Sequence, residues 1–533
     1  MRCDVVVLGA GMVGVSAALH LQARGRDVVL LDRHGHAAGE TSYGNAGLIE
    51  RASYFPYVFP RDFETVWRSI AGRNRAARIV WRDLPWTLPF IARYFHQSAP
   101  ARAMRHARAS WPLIERSLAE HDALAAQADA THLLRREGWI KGFRTERTLA
   151  AGLAEADRVR ALGMRVDVLD VAALSERESH IAGPIGAVHY RDPVSCVDPG
   201  GLAQAYADLF TARGGRLMAG DARTLERTSG GWRVRTIEGP VEAEQVLVAL
   251  GPWSGDLCAA LGVQVPLGVK RGYHRHFGAA GNAVLNRPFL DADEGYLLAP
   301  MAAGIRLTTG AEFARRDRAP SSAQINSCEA AARRAFPLGE RREERAWLGC
   351  RPCLPDLLPV IGPAPGQAGL WLDFGHQHHG FTLGPVTGRL VAEMMTGETP
   401  FADPTPYRAD RFCKSAPPRS RRQRVRRGAN LAQVAPQAGA RQMRVDLHVA
   451  FGAQLLFDVL HRCANARSGE GISALQQGRR RAGDAAGDVW GDVKFSHRNS
   501  KETPDGNRGR TCRPALTGAA QEEHGARKLP PPT

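Results

Sequence analysis

Gly9-Ala10-Gly11-Met12-Val13-Gly14 follows the apolar run Val5 to Leu8 and opens a helix-like stretch from Val13 to Arg24. Glycines at this spacing permit a tight turn and let backbone amides approach a pyrophosphate at a helix N-terminus. A second apolar run, Val28 to Leu31, ends in Asp32, where a carboxylate suits a ribose hydroxyl and disfavours a 2′-phosphate. The implied chemistry is dinucleotide binding, by FAD or NAD rather than NADP, with Arg33 among the cofactor-binding residues; the glycines alone do not choose between the first two. The polar loop at 39–47 follows, and its Thr41, Ser42, Asn45, Ala46 and Gly47 offer hydroxyl and amide donors to a second phosphate and a ring. A plain surface turn is the other reading of that loop.

Two later segments carry chemistry-bearing residues. Trp347-Leu348-Gly349-Cys350-Arg351-Pro352-Cys353-Leu354-Pro355-Asp356 leads into Pro359-Val360-Ile361-Gly362, and Phe374-Gly375-His376-Gln377-His378-His379-Gly380-Phe381-Thr382-Leu383-Gly384 stands between a strand and a helix. With the glycine turn and the 39–47 loop, they match one pattern in order. Over about residues 1–412 the chain resembles the FAD-dependent amine and amino-acid oxidoreductases of the D-amino-acid oxidase superfamily, and within it the bacterial D-amino-acid dehydrogenases. The resemblance implies FAD as cofactor and a small amino acid as substrate. It implies that Arg351 pairs with the substrate carboxylate, because a planar guanidinium holds a carboxylate bidentately and fixes the α-carbon over the flavin. An internal ion pair is the alternative for Arg351. The resemblance also sets the 376–380 loop beside the isoalloxazine, with the next helix N-terminus stabilising negative charge on the reduced ring. Tyr273 and Tyr296 are expected to assist the arginine, with buried core aromatics as their alternative. His379 completes the expected catalytic set, and Ala249, Gly251, His378, Gly380 and Thr382 complete the cofactor set.

Other clusters read more simply. The histidines at 376, 378 and 379 lack carboxylate partners in the segment, and Cys350 and Cys353 form a lone CxxC with a proline inside, so no metal is expected and the thiols read as core. His274 and His276 share one strand face and read as solvated surface.

These residues need elements to hold them. The opening is a βαβ unit. From about Asp62 to Ala128 the spacing turns helical, with Trp67, Trp81, Trp86 and Trp111, and with Pro85, Pro89, Pro100 and Pro112 expected to break it into pieces. A helix from Pro199 to Arg213, strands at 216–218, 245–249 and 370–374, short strands between 265 and 309, and a helix from Val386 to Met395 follow. The expected class is α/β: an FAD-binding Rossmann-like (βαβ) domain with an antiparallel-sheet substrate domain and a helical insertion. The expected segments are 1–60 for the first FAD-binding part, 61–130 for the insertion, and 131–264 for interleaved FAD and substrate segments. The substrate sheet then takes 265–345, the closing FAD segment 346–412, and a disordered basic tail 413–533.

Composition is that of a globular protein, 44% apolar and 23% charged. The net charge of +17 is uneven: from Cys413 onward, 22 Lys and Arg face 10 Asp and Glu, so +12 of it lies there. That tail clusters Arg421, Arg422, Arg424, Arg426 and Arg427, is too poor in apolar surface to offset its ordering entropy, and has the texture of a frameshift or read-through extension. Nine cysteines, an odd number without an export signal, suggest reduced thiols in the cytoplasm. The tryptophan-bearing stretch suits either packed core or peripheral contact on the inner face of a membrane. The expected reaction is oxidative deamination of a D-amino acid, extending to D-proline or a hydroxyproline, with electrons passed to a quinone-type acceptor. The alternatives are a glycine or sarcosine oxidase using oxygen and, from another class, an RNA-interacting flavoprotein reached through the arginine cluster. The body lacks a basic stripe with interleaved aromatics, so no nucleic acid is expected.

Overall fold

The computed structural model describes residues 1–413; the expectations for the basic segment beyond them lie outside the described residues. Val5, Val6, Val7 and Leu8 are all buried, so the strand Arg2–Leu8 is covered on both faces, as a central parallel strand must be. It runs parallel to Val28–Asp32 on one side and to the end of Gly239–Val248 on the other. Arg216–Thr228 extends the sheet beyond Val28–Asp32, and Leu370–Phe374 extends it beyond Gly239–Val248, both in parallel. Val360–Pro363 closes that edge antiparallel. The helix Met12–Gln22 between the first two strands is buried along most of its length. It has sheet on one side and other helices on the other, so it reads as apolar without a polar stripe.

A second sheet of eleven strands is mostly antiparallel, with the long strand Gly268–Ala279 paired to both Trp347–Cys353 and Gly304–Thr309. The expected α/β class, with a βαβ unit and a separate sheet, is therefore what the chain forms. The insertion is less purely helical than its spacing suggested, because Ala77–Ile79 leaves it to pair in parallel with Ala311–Phe313 of the second sheet. Pro85 and Pro100 do start helices there, Leu84–Gln97 and Pro100–Gln127. Pro89 and Pro112 were expected to break the chain but lie inside those same helices. Each costs a backbone hydrogen bond, and burial of Ile91 and Tyr94 in one helix and of Leu113 and Ile114 in the other outweighs it.

The closing helix departs from expectation in the same way. It spans Gly380–Thr396, starting well before Val386 and taking in Pro385. A proline there leaves the carbonyl of Phe381 without its partner four residues on. The imidazole of His121, on the helix Pro100–Gln127, donates to that carbonyl from Nε2 at 2.8 Å. His121 is wholly buried, and desolvation holds its pKa down at about 4, so the ring is neutral. Glycines let the closing helix touch the opening one: a Cβ at Gly384 would stand 2.7 Å from Met12 Cγ, and one at Gly388 would stand 2.7 Å from the Ala17 amide nitrogen.

Candidate active site

The glycine turn is shaped by close approach. Gly9 has φ +103°, and a Cβ there would stand 2.6 Å from the Ala249 carbonyl oxygen; a Cβ at Gly14 would stand 1.8 Å from the Gly9 carbonyl oxygen. Asp32 accepts from the Ala10 amide through Oδ2 and from the His34 amide through Oδ1, both at 2.9 Å, so its carboxylate pins the turn. Gly11 caps the helix Met12–Gln22 with no side chain of its own, while the Met12 amide donates to Ser42 Oγ at 3.0 Å.

A cavity of about 1700 Å³ runs from this turn to the 376–382 segment, well above the roughly 300–1,000 Å³ of ordinary small-molecule pockets. Of the expected cofactor residues, Gly9, Gly11, Met12, Val13, Asp32, Arg33, Thr41, Ser42, Asn45, Ala46, Ala249, Gly251, His378, Gly380 and Thr382 line it. Ala10, Gly14 and Gly47 do not line it but shape its wall from behind, the Gly47 amide donating to Asn45 Oδ1 at 2.8 Å. Some expected donors are engaged elsewhere. Thr41 Oγ1 donates to the Cys350 carbonyl at 2.9 Å, Thr382 Oγ1 donates to the Leu48 carbonyl at 3.0 Å, and the Arg33 guanidinium lies 4.1 Å from the centre of the Trp253 ring.

At the other end, the strands Gly268–Ala279 and Trp347–Cys353 set Lys270 opposite Arg351 and Gly272 opposite Gly349. Opposed residues in an antiparallel pair share a face, so both cations point the same way. Arg351 lies across Gly272, where a Cβ would come within 2.6 Å of the guanidinium nitrogens. Its Nη1 donates to the Gly310 carbonyl at 3.1 Å and its Nη2 to the Thr309 carbonyl at 3.3 Å. It is half-buried, no carboxylate among the described residues pairs with it, and desolvation pulls its pKa down. Lys270 Nζ lies 3.8 Å from the centre of the Tyr94 ring and, among the described residues, has no carboxylate partner.

The two expected tyrosines sit differently. Tyr273, one residue along from Gly272, turns to the opposite face, where its hydroxyl donates to Glu312 Oε1 at 2.9 Å and accepts from Arg271 Nη2 and the Ser321 amide. Tyr296 is buried with its hydroxyl 3.4 Å from Asp291 Oδ2, which Arg144 also holds. Both tyrosines line the cavity, with their hydroxyls bonded to protein partners. His274 and His276, expected on a solvated face, are instead buried: His274 stacks on Trp347 at 4.8 Å between ring centres, and His276 bridges Glu343 and Arg306. Their partners are far along the chain, which is why alternation alone misassigned them. Cys350 and Cys353 are free and buried, and desolvation pushes the Cys350 thiol up to about 11.

The histidine segment has a carboxylate partner that its own sequence did not reveal. Glu50, just after the strand Leu48–Ile49, lies with Oε2 at 3.7 Å from His379 Nε2, and one ligand atom each from Glu50, His378 and His379 fall within 4.8 Å of one another. Glu50 is held there because its amide donates to Thr382 Oγ1 at 3.2 Å. His378 and His379 line the cavity, and the Nε2 of each is buried with no hydrogen bond among the described residues. Tyr57 meets the His378 ring edge-on at 4.6 Å. Sequence reasoning missed Glu50 and Lys270; no spacing rule links position 50 to 379, and only the pairing of strands brings Lys270 to Arg351.

A dinucleotide fits this donor set: a bare helix N-terminus at the turn, a cradle that side chains at Gly9 and Gly14 would fill, and orphaned imidazole nitrogens at the far end. Comparison with known proteins agrees. Residues 4–394 match the family described as FAD dependent oxidoreductase. The chain is similar to D-amino acid dehydrogenase 2 of Mesorhizobium japonicum, 28% identical over 416 residues covering 75% of this chain and 98% of that one. It is also similar to the D-amino-acid oxidase of Bradyrhizobium diazoefficiens, 28% identical over 430 residues, 76% and 98% of the two chains. In fold it is similar to glycine oxidase from Geobacillus kaustophilus, with a TM-score of 0.62 at 23% identity over 78% of this chain and all of that one. The chain thus belongs to the FAD dependent oxidoreductase family, an enzyme with FAD as its cofactor.

Proposed function

We propose that the protein oxidises a D-amino acid to its imino acid, which water then hydrolyses to the 2-oxo acid and ammonia. Arg351 carries this reading: a half-buried guanidinium in the cavity wall that, among the described residues, donates only to backbone carbonyls, so that its charge is left to be met by an incoming carboxylate. Bound FAD supplies the hydride acceptor. The turn at Gly9 and Gly11 and the carboxylate of Asp32 would hold its dinucleotide end, and the 378–382 segment would face its ring. The protein's own work at the substrate is orientation. Arg351 fixes the carboxylate, and a fixed carboxylate sets the direction of the α-carbon hydrogen. The names of the two similar proteins favour the D-series.

A quinone-type acceptor, reached through peripheral contact with a membrane, extends the same reading. No helix among the described residues is long and apolar enough to cross a membrane. Trp67, Trp81 and Trp86 are 36%, 39% and 61% exposed, with Arg68 and Arg82 beside them, which supports contact at an interface.

The test is anaerobic mixing of the holoenzyme with separate D- and L-amino acids, both prolines and hydroxyproline among them, while following oxidised-flavin absorbance. Bleaching by D-series compounds that is lost in Arg351→Ala is the expected result. A flavin untouched by every amino acid would refute the substrate class. Turnover in air that releases peroxide in step with substrate loss would replace the quinone with oxygen.

A further inference from the structure

The cavity presents opposite charges at its substrate end. Arg351 and Lys270 stand on one face of the second sheet, and Glu50, packed by His379 beside the start of the closing helix, lines the same cavity. Glu50 is only 6% exposed, a costly position for a carboxylate without a cation. Its Oε2 accepts from Ser53 Oγ and lies 3.7 Å from His379 Nε2, but Oε1 has no hydrogen bond among the described residues. The neighbouring His379 Nε2 also lacks one. A buried carboxylate and an orphaned imidazole facing a cavity call for a cationic donor.

A divalent metal and an ammonium group both meet that description. Arg351 and Lys270 already bring two positive charges to the wall of this cavity, which disfavours a further +2 ion. A zwitterion brings its own carboxylate to neutralise Arg351 and offers a single positive charge two bonds away. We propose that Glu50, backed by His379, receives the ammonium group of the substrate whose carboxylate Arg351 holds. This rests on the amino-acid reading above. It makes Glu50 a specificity residue that admits α-amino acids and turns away hydroxy acids and plain carboxylates.

The experiment uses ligands that cannot react. 2-Aminoisobutyrate has no α-hydrogen and so binds without oxidation, and isobutyrate is the same acid without the amine. Each is titrated into FAD-loaded wild type and Glu50→Gln, with perturbation of flavin absorbance as the readout. Loss of a charged hydrogen bond predicts that the variant binds 2-aminoisobutyrate about 10- to 100-fold more weakly, with isobutyrate unchanged. Equal weakening of both ligands, or of neither, overturns the proposal. So does 2-aminoisobutyrate binding that survives while binding of Zn²⁺ is lost, since the cluster would then be a metal site. If Glu50→Gln does not retain FAD, His379→Asn takes its place, and selective weakening of the amine-bearing ligand is again required. If neither ligand, nor any amino acid, perturbs the wild-type flavin, the amino-acid reading itself falls, whereas a wild type that binds both with an indifferent variant removes only the role of Glu50.

Discussion

Replacing His121 by leucine tests how the closing helix tolerates its proline. The ring's Nε2–H is the donor that serves the Phe381 carbonyl, which Pro385 has left without a helical partner. Leucine fills much of the space and donates nothing, so the carbonyl becomes buried and unsatisfied, at a cost of about 1–3 kcal/mol. Unfolding entropy of about 2.1 cal/mol/K per residue, taken over a fold of this size, makes that a fall in Tm of roughly 1 °C per kcal/mol. Other losses accompany it, since His121 Nδ1 also lies 3.3 Å from the Tyr206 hydroxyl. A double-mutant cycle removes them. Pro385→Ala restores an amide able to bond the Phe381 carbonyl, so His121→Leu should cost about 1 kcal/mol less in that background. Scanning calorimetry of the FAD-loaded wild type, the two single variants and the double variant measures the coupling, with flavin fluorescence reporting release. If His121→Leu costs the same in both backgrounds, to within about 0.5 kcal/mol, the substitution of an imidazole for a missing amide is wrong.

Other outcomes follow from the same structure. His121 and His20 are held neutral with pKa values near 4, while in the unfolded chain each takes a proton near 6.5. The folded form binds fewer protons in that window, so stability present above pH 6.5 is lost as the pH falls towards 4, by about 3 kcal/mol for a group as buried as His121. Urea midpoints at pH 7.5 and pH 5 should differ in that sense, and identical midpoints would contradict it. Gly14→Ala drives a Cβ into the Gly9 carbonyl and should yield protein without bound FAD, whereas Gly11→Ala, which meets only Ser42 Oγ at 3.2 Å, should retain some; the flavin-to-protein absorbance ratio decides. Arg351→Lys keeps the charge but not the fork, and should lower kcat/KM for an amino acid by about 10²-fold, mostly through KM; an unchanged value would mean that the guanidinium does not touch the carboxylate.

The parts legible in the sequence are those whose cause is local. A strand, a glycine turn and a helix within residues 2–32 announce themselves because the apolar run, the glycines and Asp32 all act on neighbours. Leu370–Phe374 was readable for the same reason. What escaped depends on partners far along the chain. His274 and His276 look like a polar face until Trp347, Glu343 and Arg306 are brought to them. The start of the closing helix was hidden by Pro385, whose penalty is relieved by a residue on another helix. Tyr273 lines the cavity as expected, but the pairing of distant strands that brings Glu312 to its hydroxyl carries no local signal. Glu50 carried no signal at all, being an isolated acid after a two-residue strand.

The packing of Met12–Gln22 against Gly380–Thr396 has a consequence for biosynthesis. One of the first helices to leave the ribosome must wait for one of the last elements of the described fold before its apolar surface is covered. At about 5–20 residues per second that wait is on the order of 20 to 70 seconds. Throughout it the nascent chain exposes Val15, Leu19 and Leu21, the inward faces of a helix that has no sheet-only resting place. The protein should therefore lean on chaperones during translation more than a contiguous domain of equal size would, and slowing translation should lower its soluble yield.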